Sequence, residues 1–288
     1  METVTTQMRE IADQHESEVL AGERFEFGKN WSAFLAVLDE GRIVKAEESL
    51  REMLEVEDLR GKTFLDIGSG SGLFSLAARR LGATVHSFDY DSNSYNCTKE
   101  LKRRFYADDE NWRVEQGSAL DKAYVESLGA FDIVYSWGVL HHTGAMYRAL
   151  ENVLQCTRPD GLIAIAIYND QGARSSRWAR VKRVYCGSEV GKALALGTIV
   201  PYWVGRGLLS DLLRARNPAG RYRDYRKRRG MSFAHDWVDW LGGWPFEVAK
   251  PEEIFRWFRD RGYTLLNLTT AGGTMGCNEF VFRRAQRT

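Results

Sequence analysis

Asp66, Gly68, Gly70 and Gly72 fall at alternate positions and have the types and spacing of a ligand loop. They follow a short apolar run and open onto Leu73-Phe74-Ser75-Leu76-Ala77-Ala78, which reads as a helix start. Strand, glycine loop and helix is the layout of a nucleotide site, because glycine lets backbone approach a ligand and a helix N-terminus offers unpaired N–H donors. The dinucleotide fingerprint G-x-G-x-x-G would need glycine at 73, where this chain has Leu73. A second strand, Ala83 to Asp89, ends in an acid 23 residues after Asp66. An acid there accepts hydrogen bonds from ribose hydroxyls. Dehydrogenases place one similarly, so Asp89 alone leaves both ligands open, and a helix cap is its other reading. Asp91 is the better candidate for that cap.

Proton chemistry has candidates further on. His141 and His142 follow a fourth strand, Phe131 to Ser136, at the carboxyl edge where open sheets bind ligands. A neutral imidazole there can take a proton from a hydroxyl or amine. His235 and Asp239, if helical, share a face at i, i+4 and make either a base with its orienting acid or a capped, solvated surface. Tyr168 and Asn169 follow a fifth strand, Leu162 to Tyr168, and are candidates for an acceptor pocket.

The D-x-G-x-G-x-G loop, Asp89 and the Arg158-Pro159-Asp160-Gly161 turn before an apolar strand resemble class I S-adenosylmethionine (SAM) methyltransferases. The resemblance covers roughly residues 61–168 and resumes at the C-terminus. It implies SAM as cofactor, a ligand with a carboxylate, an amine and a sulfonium but no pyrophosphate. It assigns Gly68, Gly70 and Gly72 to the cofactor loop, Asp66 to the methionine end and Asp89 to the ribose. Ser118 stands where the family often has an acid reaching the adenine amino group, and Ser136 ends the fourth strand on the cofactor side. The aromatic segment Arg24 to Trp31 is either a hydrophobic anchor or a lid placing Trp31 over the cofactor. The His141-His142 run is similar to that of ubiquinone-pathway O-methyltransferases. Some of those hold a divalent ion with acids where this chain has Gly138 and His141, so no metal is expected.

These residues need a scaffold of alternating strands and helices, which implies a parallel sheet covered on both faces. The expected fold is α/β: a doubly wound, Rossmann-like seven-stranded sheet with a closing antiparallel strand, a helical N-terminal segment and a helical lid insertion. Residues 1–60 form a helical cap, 61–168 the SAM-binding core and 169–250 the insertion. Residues 251–288 complete the core with a helix from Pro251 and strands Tyr263 to Thr269 and Asn278 to Arg284.

The insertion is too long for a plain connection, which points to function. Across 171–230 there are 15 Arg or Lys against 3 acids, a net of +12 in a chain whose total is +1. Arg226 and Arg228 lie in its densest run. Three readings follow: a lid pairing an anionic small-molecule acceptor, a surface for nucleic acid or an anionic membrane, or a solvated face. Four cysteines without a C-x-x-C pair fit a reducing compartment. With no leader-like start and no apolar run near the ~20 residues that span a bilayer, a cytoplasmic enzyme is expected. The best reading is methyl transfer to a small molecule, with O slightly favoured over N. The alternatives are an RNA- or membrane-associated methyltransferase or binding protein and, further off, an NAD-dependent oxidoreductase.

Overall fold

The computed structural model describes residues 2–213 and 240–286. Three helices, α1 (Glu2–Leu20), α2 (Gly28–Leu35) and α3 (Glu40–Leu54), precede the sheet. The core then alternates β1 (Thr63–Ile67), α4 (Leu73–Arg80), β2 (Thr84–Asp89), α5 (Ser92–Tyr106), β3 (Trp112–Gln116), α6 (Lys122–Ser127), β4 (Phe131–Trp137), α7 (Met146–Leu154) and β5 (Thr157–Tyr168). Two helices of the insertion follow, α8 (Ala173–Gly187) and α9 (Glu189–Leu213), and α10 (Pro251–Arg259), β6 (Tyr263–Thr269) and β7 (Cys277–Arg284) finish the chain.

Local chemistry sets these boundaries. Asp91 caps α5 by accepting the Asn93 N–H, and Asp121 caps α6 by accepting that of Tyr124. Pro251 opens α10, where Glu253 accepts the Lys250 N–H at 3.0 Å. The fifth strand starts at Thr157, five residues before the expected Leu162. The Arg158–Gly161 turn is absorbed as an irregularity opposite Phe131 and Ile133, with Asp160 at φ +60°.

The sheet order is β3-β2-β1-β4-β5-β7-β6, with β7 antiparallel to both neighbours. A dehydrogenase sheet would be expected to continue in parallel, so this edge removes that alternative. Strand order reverses between β1 and β4, whose carboxyl ends therefore open a crevice. Side chains alternate between two cores. Leu65, Ile67, Val134, Ile165 and Phe282 face α6, α7 and α10, whereas Phe64, Val85, Ile133, Tyr135 and Val281 face α3, α4 and α5. Burial on both faces explains the near-continuous apolar strands.

Phe282 stacks on Phe258 with ring centroids 4.2 Å apart, joining the antiparallel strand to α10. Phe282→Ala should therefore cost about 3–5 kcal/mol of unfolding free energy in urea titrations, because the ring is fully enclosed.

Candidate active site

The crevice is floored by the loop after β1. Gly68 donates to the Phe88 carbonyl at 2.8 Å and Gly70 donates to Asp89 Oδ2 at 2.8 Å. Gly68 has φ +74°, and a Cβ there would lie 2.3 Å from Val139 Cγ1. Gly70 has φ +57°, and its Cβ would come 3.1 Å from the Trp31 indole nitrogen. The left-handed backbone disfavours a side chain at both positions, and at Gly68 the space is also lacking. The Trp31 ring thus covers the loop at Gly70.

Asp89 Oδ1 accepts the Asp91 N–H at 2.9 Å. Each carboxylate oxygen of Asp89 is engaged once and keeps one lone pair. Burial first, then the charges of Asp91 and Asp66, push its carboxyl up to about 7. Asp66 lies behind the loop and accepts from Ser75 Oγ at 2.5 Å. Ser75 contacts Ser87 at 2.7 Å, and Trp112 Nε1 donates to Ser87 at 2.9 Å. Burial outweighs the Ser75 bonds and pushes Asp66 up to about 7 as well.

The N-terminal segment is strapped over these strand ends. Asp91 accepts the Gly28 N–H at 2.7 Å with the oxygen not used in capping α5. Asn93 Nδ2 donates to Glu26 at 3.0 Å. Arg24 donates to the His142 carbonyl at 2.9 Å while its guanidinium lies 4.9 Å from the centre of the Tyr90 ring.

His141 and His142 sit in a 3₁₀ turn after β4. His142 Nδ1 lies 2.6 Å from the Pro245 carbonyl. A carbonyl only accepts, so Nδ1 carries the proton and Nε2 keeps the lone pair. Burial pushes this imidazole down to about 3, with Lys182 and Arg24 adding to the fall. His141 is fully enclosed, and burial, His142 and Lys182 hold it well below the usual histidine range. Neither of its nitrogens has a hydrogen bond of ordinary geometry, although the Ala166 carbonyl lies beside the ring. Tyr168 packs 4.1 Å from His141, and Phe27 packs 4.9 Å from His142. Behind them Lys182 donates to the Trp240 carbonyl, its ammonium 5.1 Å from the centres of the Trp240 and Phe246 rings.

The structure therefore brings together the loop glycines, Asp66, Asp89, Trp31, both histidines and Tyr168. Two expected site residues are otherwise engaged. Ser136 is buried and donates to the Ile67 carbonyl at 3.0 Å, so it ties β4 to β1 and does not line the crevice. The Asn169 amide donates to the Gly272 and Thr274 carbonyls and accepts from Asn278, which makes it the anchor of the β6–β7 loop. Ser118 is part-buried beyond β3 and accepts the Leu120 N–H at 3.2 Å. His235, Asp239, Arg226 and Arg228 lie outside the described residues. Sequence reasoning missed Arg24 and Lys182. Lys182 had a signal: it stands on the inward stripe of α8 with Trp178 and Tyr185, where a solvated lysine does not belong.

A family model described as a methyltransferase domain matches residues 38–268. A ubiquinone biosynthesis O-methyltransferase of Methylobacterium sp. is 27% identical over 157 residues, 54% of this chain and 55% of that protein. A tRNA U34 carboxymethyltransferase of Chromohalobacter salexigens is 25% identical over 189 residues, 64% of this chain and 54% of that protein. The chain spans from about a quarter to just over half the length of the curated relatives it matches. Magnesium protoporphyrin IX methyltransferase from Synechocystis PCC 6803, solved with bound SAH, shares the fold. Its TM-score is 0.51 at 12% identity, over 85% of this chain and 84% of that one.

The raised Asp66 carboxyl has a thermodynamic consequence. Its folded value, about 7, exceeds the unfolded one, so its contribution is full below about 4 and is lost as pH rises through 7. Asp66→Asn keeps an acceptor for Ser75 without the charge. It should match wild type near pH 4 and be more stable at pH 8 by roughly 2–4 kcal/mol, read from urea midpoints at the two pH values.

Proposed function

The chain belongs to the methyltransferase-domain family, whose cofactor is S-adenosylmethionine, and we propose that it methylates a small-molecule acceptor held against the His141-His142 turn. The cofactor fits the residues present. Gly68 and Gly70 carry left-handed backbone without side chains in the loop beneath Val139 and Trp31, and Asp89 retains a lone pair on each oxygen for the ribose hydroxyls. Gly68, Gly70 and Gly72 would hold the methionine end with Asp66 behind them, and Trp31 would close over the cofactor. When bound, SAM supplies a methyl group already activated on a sulfonium.

The protein's remaining tasks are alignment of the acceptor, which supplies most of the acceleration, and removal of one proton. The His142 Nδ1–H donated to the Pro245 carbonyl carries this reading, since it leaves Nε2 as a base of fixed tautomer. An imidazole held neutral is ready to receive a proton throughout the neutral range, although its low basicity suits an acceptor whose own proton becomes acidic as the methyl bond forms. A hydroxyl meets that description better than an amine, so O-methylation is favoured. Lys182 and Arg24 place positive potential behind the turn, which favours an anionic acceptor. The α8–α9 hairpin is its cap.

An RNA acceptor is the second reading, supported by the 15 basic residues against 3 acids across 171–230. Binding of tRNA that falls steeply with salt, with methyl transfer to it, would replace the small-molecule reading.

Two outcomes test the assignment. SAM affinity, measured by calorimetry, should fall as pH drops below about 7, because ribose hydroxyls donate to the ionised Asp89 carboxylate. Asp89→Ala should weaken it by about 1.5–3 kcal/mol and flatten that pH dependence. His142→Gln should lower kcat on acceptors found by radiolabelling a metabolite extract by on the order of a hundredfold or more. SAM affinity should stay within about twofold, and an unchanged kcat would remove His142 from proton transfer.

A further inference from the structure

The outward face of α9 is apolar along its whole length. Val190, Leu194, Tyr202, Leu209 and Leu212 are 70, 61, 62, 57 and 74% exposed, and the residues between them on that face are largely small. Its polar groups are few. Glu189 pairs with Lys192, Thr198 turns its hydroxyl back to the Leu194 carbonyl at 2.7 Å, and Arg206 is exposed with no carboxylate partner among the described residues. A shallow groove of about 580 Å³ opens on this face beside Val190, Ala193, Leu194 and Gly197. The opposite side of the helix, with Ala195, Ile199 and Trp203, packs against Trp178 and Tyr185 of α8.

The charge of the hairpin is one-sided. Over 173–213 there are seven basic residues and two acids, Glu189 and Asp211, and Asp211 is buried. Arg174, Arg177, Arg180 and Arg183 on α8 are exposed, and none pairs with a carboxylate among the described residues. No described helix is long and apolar enough to cross a membrane. A long helix with an apolar outer face and a basic companion, too polar to span, matches what lies in the headgroup boundary of an anionic bilayer.

We propose that the α8–α9 hairpin docks on an anionic lipid surface, with the apolar face of α9 in the acyl boundary and the α8 arginines on lipid phosphates. The charge argues against a second copy of the chain as occupant, since two such hairpins would repel each other. Nucleic acid would leave the leucines against a polar backbone. Docking in this way would set the His141-His142 turn, behind which Lys182 of α8 lies, close to the lipid headgroups.

The full chain should sediment with vesicles of phosphatidylcholine mixed with phosphatidylglycerol, far less with phosphatidylcholine alone, and less as salt rises. Leu194→Glu should weaken that binding by about tenfold or more, and Arg177→Gln with Arg180→Gln and Arg183→Gln by on the order of a hundredfold. Both variants should keep the thermal midpoint and SAM affinity of wild type, since none of these residues touches the crevice. Absence of vesicle binding at low salt would overturn the proposal. So would vesicle binding that both variants retain, or a wild-type dimer that Leu194→Glu converts to monomer. A large fall in thermal midpoint for Leu194→Glu would also overturn it, by making the face an internal contact of the chain itself.

Discussion

The bond from the Gly70 amide to the Asp89 carboxylate ties the loop after β1 to the end of β2, and the crevice is organised around it. The same carboxylate accepts the Asp91 amide, and Asp91 in turn holds Gly28 at the start of α2. One turn further on, Trp31 returns to lie on Gly70. These contacts form a closed circuit running from the loop through two acids and the N-terminal helix back to the loop. Each member restrains the next, so the cover and the floor of the cofactor crevice are positioned by one set of hydrogen bonds. Glycine suits the last contact, because the backbone at 70 is left-handed and a Cβ there would press on the indole at 3.1 Å.

Electrostatics divides the crevice in two. On the loop side, burial raises Asp66 and Asp89 toward neutrality, and the charges of Asp91 and Asp66 raise Asp89 further. On the turn side, burial with Lys182 and Arg24 drives the histidines toward their neutral form. Groups of opposite type are thus shifted in opposite directions across a few residues of sheet edge, which is the pattern by which one site separates binding from proton handling. The Pro245 carbonyl adds direction to the second half by fixing which nitrogen of His142 carries hydrogen.

Much of the fold was legible because its signals are local. Alternate glycines after an apolar run, an acid ending the next strand and Pro251 opening a helix each report a backbone requirement within a few residues. The cap at Asp91 was read from the same kind of signal. Ser136 and Asn169 were misplaced because a position at a strand's carboxyl end does not say where a short polar side chain turns. Ser136 finds a carbonyl on β1, and Asn169 finds the loop between β6 and β7. Both partners are distant in sequence. The irregular start of β5 was hidden for a related reason: Pro159 and Gly161 usually break a strand, and here they are accommodated by a local shift in pairing with β4. Arg24 was invisible as a site residue, since a basic residue in a polar segment gives no sign that tertiary packing will enclose it, whereas Lys182 stood out only by its place on the inward stripe of α8.

The sheet order also imposes a timetable on synthesis. Among the described strands β6 pairs only with β7, yet it is made first, and β7 inserts between β6 and β5. As the chain emerges from the ribosome, β1 to β5 can assemble in parallel while the free edge of β5 waits through the whole basic insertion. During that interval β5 presents unpaired backbone groups to any other strand in reach, the hazard that native edges are built to avoid. Only when Cys277 to Arg284 has been translated can β5 and β6 be joined. The antiparallel edge therefore acts as a late clasp, and a nascent chain stalled before it would carry an open, adhesive sheet.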